Sequence, residues 1–423
     1  QAAWDNKNSV GNTFSNLFDG EIWSEDKKIH IYARKNSPDN KIAALYYNVS
    51  AIDALNGWLK RQKKAREFFI DESENNKHLP DLPGYEDSVE KKRIDKIHEK
   101  KNDFIYFVHE IVWRSKIWQD GQFEQFIKKA KPDILFAFAT SPYILWPLVK
   151  YLKSNTQCKV VLLIADNVYE NYEQCSFYRR GYLKKDFEKC IRVADKLYGI
   201  STEMSELYES RFGRNVTTLY KGCDLSVEPK QSLNSPLRFA YAGNLQWGRG
   251  DTLALVADAL EKINQDGSKA ELEIYTGTTV TEEMRKKLDR KGSSRILGLL
   301  PYERIKQIMH DADVVLFVES FENKWLKTIQ YSFSTKIIDC MQSGNQILAI
   351  GPKGISSIEY LKKVTGVSVI CEQEQIERSV ADLIAKREKM LENANNIRQY
   401  AIRNHDIAAV QERLRAEFMK LQK

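Results

Sequence analysis

From about residue 130 onward, short apolar runs alternate with longer amphipathic segments, the pattern of strands and helices taking turns in parallel α/β units. Runs at 132–138, 160–165, 196–200, 237–242, 271–276, 295–300, 314–319 and 346–350 are rich in Val, Ile, Leu, Phe and Tyr and lie among Gly, Pro or polar residues, so they predict buried strands. Two further strands are predicted at 28–32 and 42–47. Helical spacing predicts helices over 104–129, 184–195, 204–212 and 253–263, another from Pro301, and helix through most of 375–421. In an open parallel sheet, ligands gather at the carboxyl ends of the strands, which singles out Thr140, Ser141 and Asp166 in the first half.

The stretch 333–352 concentrates the chemistry. Ser334 and Thr335 are good helix N-cap residues, Lys336 follows at once, and Gly344-Asn345 ends the helix before the strand at 346–350. Two hydroxyls, unpaired first-turn N–H groups and a lysine form an anion site, and Asp339, about one turn on, can accept hydrogen bonds from a ribose diol. A second candidate follows the strand at 237–242. There a Gly-rich turn, Gly243-Asn244-Leu245-Gln246-Trp247-Gly248-Arg249-Gly250, frees the backbone at Gly243 for a ligand and offers Arg249 for a bidentate phosphate contact. Near the start, residues 8–18 read as a polar loop containing Gly11 and Asn12 that runs into a helix near Thr13. A doubly wound sheet would put a buried strand before such a loop, and none precedes it here.

Length changes the picture by allowing two domains: 423 residues suit two units of roughly 200 each. The polar segment 226–236 is the best linker, giving an N-terminal domain at 1–225 and a second at 226–402. No apolar run reaches the ~18 residues of a membrane span, and the first residues are too polar for a signal peptide. The six cysteines stand singly without C-x-x-C spacing, which argues against disulfides and zinc and fits a reducing cytoplasm. The net charge of +7 permits anionic partners and selects none. Basic runs at 58–66 and 91–101 read as solvated helix faces, or as a surface for anionic lipid at the inner face of a membrane. The segment 71–87, with Pro80 and Pro83, is expected to be a loop. Nucleic acid is not an expected partner, because the basic runs lack interleaved aromatics and a recognition motif. Asp311-Ala312-Asp313 precedes a strand, which makes it a helix end and no metal site.

With these residues in view, the chain resembles the GT-B glycosyltransferases, particularly the family 4-like enzymes of bacterial surface polysaccharide synthesis. The resemblance is carried in order by Gly11, Pro132-Asp133, Ile200-Ser201, Lys221-Gly222-Cys223-Asp224, Ala242-Gly243-Asn244-Leu245, Gly248-Arg249-Gly250, 313–318 and Ser334-Thr335-Lys336 through Gly344. It implies two Rossmann-like domains facing across a cleft, with a C-terminal helix at about 403–423 returning to the first. It also implies a nucleotide-sugar as donor substrate with no further cofactor and no metal, and a glycan or lipid-linked acceptor. On this chain, Arg249 and Lys336 would neutralise the diphosphate, Ser334 and Thr335 would bind it, and Asp339 would hold the ribose. Gly298 to Leu300 would offer backbone contacts to the base, and Gly11 and Asn12 would approach the diphosphate from the other lobe.

Two departures stand out. The first acid of the usual pair falls on Tyr331, leaving Glu319 or Glu322 to take its sugar contact, and Asn244 replaces one of two phosphate-loop cations. No histidine stands at the strand end where retaining members often carry one, so Asp166 is the candidate base, and inversion and retention both stay open. Two alternatives accompany this reading: a nucleotide-sugar epimerase on the same fold, and a glycan-binding protein with a degenerate donor site.

Overall fold

The computed structural model describes residues 4, 9–33, 42–49, 54, 66–68, 103–116, 118–331 and 333–423. The polar segment 71–87, the basic run 91–101 and all but the last residue of the run 58–66 lie outside them. The chain divides into two units. The first takes in residues 1–200, 204–219 and 411–423, and the second takes in 201–203 and 220–410.

In the first unit, β1 (Ile29–Tyr32) pairs parallel with β2 (Leu45–Asn48), which pairs antiparallel with β3 (Arg66–Phe68). A separate parallel sheet runs in sequence order through β4 (Ile134–Phe138), β5 (Lys159–Ile164), β6 (Lys196–Gly199) and β7 (Thr217–Thr218). Gly11 and Asn12 do not lie in a loop but in the first turn of a helix, Ser9–Phe18. Packing overrides the glycine's low helix propensity here. Phe14 and Phe18 stack edge-on against Phe138 and Phe136, with ring centroids 5.2 and 5.0 Å apart, and that contact needs a helix. The single helix expected over 104–129 is two, Asp103–Arg114 and Gly121–Ala130. Lys116 takes a positive φ of 62° at the break, and Asp120 caps the second helix by accepting from the Phe123 N–H at 3.2 Å.

The second unit is one six-stranded parallel sheet: β8 (Leu237–Ala242), β9 (Ala270–Tyr275), β10 (Ser294–Gly298), β11 (Val314–Val318), β12 (Gln346–Ile350) and β13 (Ser368–Ile370). Its spatial order is β10-β9-β8-β11-β12-β13. Counted from the first strand of the unit this is the dinucleotide-fold order 3-2-1-4-5-6, and the order reverses between β8 and β11. Every residue of β11 and β12 is buried, as strands covered by helices on both faces must be.

The segment 226–236 lies within the second unit. Lys230 Nζ donates to Asp313 Oδ1 at 2.7 Å, and Asn234 Nδ2 and the Arg238 N–H donate to Asp313 Oδ2 at 3.0 and 2.8 Å. A polar composition that reads as linker here serves one buried carboxylate at the helix end, where Asp313 is 1% exposed.

Candidate functional site

Gly243, Asn244 and Arg249 follow β8, and Glu319 follows β11, so the turn and the carboxylate meet where the strand order reverses. Gly248 takes a φ of 74°, a conformation that suits glycine, and the helix Arg249–Ile263 begins directly after it. Arg249 is therefore the first helical residue, and its side chain turns inward. Its Nε donates to Glu319 Oε2 at 3.0 Å, its Nη2 to Glu319 Oε1 at 2.9 Å, and its Nη1 to Asn244 Oδ1 at 2.9 Å. Arg249 is 6% exposed and Glu319 3%. The Glu319 carbonyl in turn accepts from Thr252 Oγ1 at 3.1 Å.

Lys336 opens the helix Lys336–Gln342 and reaches back to the turn after β8. Its Nζ donates to Tyr241 Oη at 3.2 Å, and Tyr241 Oη donates to the Asn244 carbonyl at 2.7 Å. A Cβ at Gly243 would lie 2.0 Å from Lys336 Nζ, so the glycine is what admits the ammonium. Among the described residues, no carboxylate forms an ion pair with Lys336. Burial, followed by the Arg249 charge, pushes the Lys336 pKa down to about 8, against the opposing pull of Glu319, Cys340 and Asp339.

The hydroxyls expected to cap this helix do not do so. Thr335 takes helical dihedrals and forms no side-chain cap, while the Ser334 N–H donates to Ser357 Oγ at 3.1 Å. The helix enters through Ser334 and Thr335 carbonyls that accept from Ile337 and Ile338, so no β-region cap residue is needed. Asp339 Oδ1 accepts from Tyr302 Oη at 3.1 Å and lies 3.5 Å from Lys221 Nζ. Asp339 Oδ2 has no hydrogen-bond partner among the described residues. Burial and the Asp339 charge push the Tyr302 phenol well above its ordinary pKa, which keeps it a donor. Before Tyr302, Gly298 takes a φ of 77° with open space around it, Leu299 is 77% exposed and Leu300 is half-buried.

The structure thus joins Asn244, Arg249 and Glu319 by direct hydrogen bonds and sets Gly243 against Lys336. Asp339 lies on the Lys336 helix, and Tyr302 ties it to the turn that runs from Gly298 at the end of β10 through Leu300. Gly11, Asn12 and Asp166 belong to the first unit, with Asp166 exposed just beyond β5. Tyr241, Tyr302 and Lys221 were not singled out as site residues. Tyr241 was legible as the strand residue two before Gly243, on the same face, and Lys221 stands in a motif already noted. Nothing local marks Tyr302. Among the described residues no three His, Cys, Asp or Glu side chains gather as metal ligands. A pocket of about 380 Å³ borders the Arg249 turn, with Gly248, Thr252, Ser320 and Glu322 in its wall. A larger one, about 460 Å³, lies at the amino ends of β4 and β5 beside Asp133 and Gln157, away from the strand ends where ligands bind.

No family model matches the sequence, and no curated protein matches it. Solved structures do. A mutant of TarM from S. aureus, in complex with fondaparinux, alpha-GlcNAc-glycerol and UDP, is 14% identical over 70% of this chain, with a TM-score of 0.53. The match spans 57% of the TarM chain. HepE of Anabaena in complex with UDP is 14% identical over 72% of this chain and 84% of its own, with a TM-score of 0.56. The E. coli trehalose-6-phosphate structure bound with UDP-2-fluoro glucose is 10% identical over 97% of this chain and 96% of its own, also at 0.56. The fold is that of the GT-B glycosyltransferases, with two Rossmann-like units.

Proposed function

We propose that the chain is a glycosyltransferase that moves a sugar from a nucleotide-sugar to a glycan or lipid-linked acceptor, in the building of a surface polysaccharide. One observation carries the reading: an ammonium without a carboxylate partner among the described residues, held at the strand-order reversal of a Rossmann-ordered sheet. A half-buried cation of this kind is costly unless an anion completes it, and a diphosphate fits that need. The TarM mutant and HepE structures carry UDP and the E. coli trehalose-6-phosphate structure carries UDP-2-fluoro glucose, which supports the same donor class.

In this reading Lys336 stabilises the departing diphosphate as the anomeric bond breaks, and Asp339 accepts a ribose hydroxyl through Oδ2. Fixed positive charge where negative charge develops is a large source of rate, and it fills the part a metal ion would otherwise take. Asp166, exposed beyond β5, accepts the proton of the attacking hydroxyl. For the peripheral membrane contact, the support is an exposed aromatic string on the first unit, while its preference for anionic lipid rests on the basic runs of the sequence. Phe104 and Phe177 are 64% and 79% exposed, and Phe107 and Tyr178 join them with centroid spacings of 5.3 to 6.4 Å.

The test is a thermal-shift panel of nucleotide-sugars and nucleoside diphosphates on wild type and Lys336→Ala. A true donor at 100 times its Kd stabilises the wild type by about 2.7 kcal/mol, and the variant loses most of that. If no nucleotide shifts the wild type, the proposal falls. EDTA should leave transfer unchanged; a loss restored by a divalent cation would overturn the metal-free part of the reading.

A further inference from the structure

Two cations lie near the strand-order reversal, and their circumstances differ. Arg249 has five N–H donors, of which three are spent: two on Glu319 in a bidentate clamp and one on Asn244. Among the described residues, Lys336 makes one hydrogen bond, to a neutral phenol. An incoming anion would find only two N–H donors left on Arg249, on a guanidinium whose charge Glu319 already neutralises, and drawing Arg249 further would leave a buried carboxylate without its partner. An anion that recruits Lys336 breaks nothing of that kind.

We propose that Arg249 and Glu319 are a positioning pair, with neither touching the donor: Glu319 clamps Arg249, and the clamped pair keeps Lys336 out of an ion pair and available to the diphosphate. This rests on the proposed donor site and reassigns two of its residues. The physical content is competition for Glu319. Both cations feel the charge of Glu319, and the arginine fork matches it with two parallel bonds while an ammonium offers a point charge. So long as Arg249 occupies Glu319, Lys336 stays unclaimed.

Among the described residues, Lys336 touches Tyr241 of β8 and feels the charges of Arg249 on the helix Arg249–Ile263, Glu319 at the end of β11, and Asp339 and Cys340 on its own helix. The Arg249 charge opposes protonation of Lys336, and the Glu319 charge favours it. Removing Arg249 alone therefore turns Glu319 toward Lys336, whereas neutralising both members returns the lysine to a carboxylate-free setting.

The experiment compares wild type, Arg249→Met and the double variant Arg249→Met/Glu319→Gln, with UDP as probe in calorimetry near pH 7. Melting curves establish that each variant is folded. The positioning role expects Arg249→Met to weaken UDP by about 10-fold or more, and the double variant to recover to within about 3-fold of wild type. If Arg249 itself held the diphosphate, the double variant would stay as weak as the single one, and the proposal would fail. Should Arg249→Met not fold, the double variant against wild type decides by the same limits.

A second readout needs no nucleotide. Titration of the Lys336 ammonium, followed by lysine-selective NMR and assigned with Lys336→Arg, should move to higher pH in Arg249→Met and return downward in the double variant. A Lys336 titration identical in all three proteins overturns the inference. Absence of UDP binding in the wild type counts against the donor reading, and the titration then judges the pair on its own.

Discussion

Lys336 is charged where charge is disfavoured. Its pKa falls to about 8, below the ordinary lysine value, so the native state binds its proton less tightly than the unfolded chain. The cost of that mismatch is fully present below pH 8 and fades as pH rises toward the unfolded lysine pKa. Lys336→Met should therefore raise the stability of the ligand-free protein at pH 7, by roughly 1–2 kcal/mol after allowing for the side chain's partial exposure, while removing nucleotide binding. Denaturant unfolding with and without UDP measures both effects. The same titration gives a pH profile: nucleotide affinity should decline as pH rises through about 8, and Lys336→Arg, which stays protonated, should lose that decline. A flat wild-type profile between pH 6.5 and 9, in calorimetry, would separate Lys336 from the anion.

At the scale of elements, the turn after β8 works because one of its residues has no side chain. Gly243→Ala would set a methyl 2.0 Å from Lys336 Nζ and 3.0 Å from Tyr241 Oη. The expected outcome is a folded protein with about 10-fold weaker UDP binding, because the ammonium is the mobile partner and must withdraw. A different element is held by Asp313. Asp313→Ala removes the acceptor of Lys230, Asn234 and the Arg238 N–H together, and should cost about 3–5 kcal/mol in urea unfolding. Most elements were legible from periodicity, and β12 was found to the residue, because an apolar run bounded by Gly-Asn and Gly-Pro has little else to become. The failures share a cause. The helix at 9–18 and the split of 104–129 depend on packing with distant residues: Phe14 and Phe18 against β4, and Trp113 and Trp118 in one core with Tyr47 and Leu148.

At the scale of the molecule, the sheet order of the second unit turns scattered residues into a site. Hydrogen exchange with and without UDP should show protection concentrated in 241–252, 298–302 and 334–342; uniform or absent protection there would place the nucleotide elsewhere. The sequence by itself determined the α/β alternation, the glycine turn, and a lysine and an aspartate a turn apart at one helix start. Those features depend on residues a few positions away, which is the range over which periodicity, capping and turn chemistry act. Only the tertiary structure decided how the charges are spent. Arg249 meets Glu319 across 70 residues of chain, and Lys336 meets Tyr241 across 95. Which cation is clamped by a carboxylate and which rests on a phenol follows from the adjacency of β8 and β11, since pairing and desolvation are set by what the fold brings within a few ångströms.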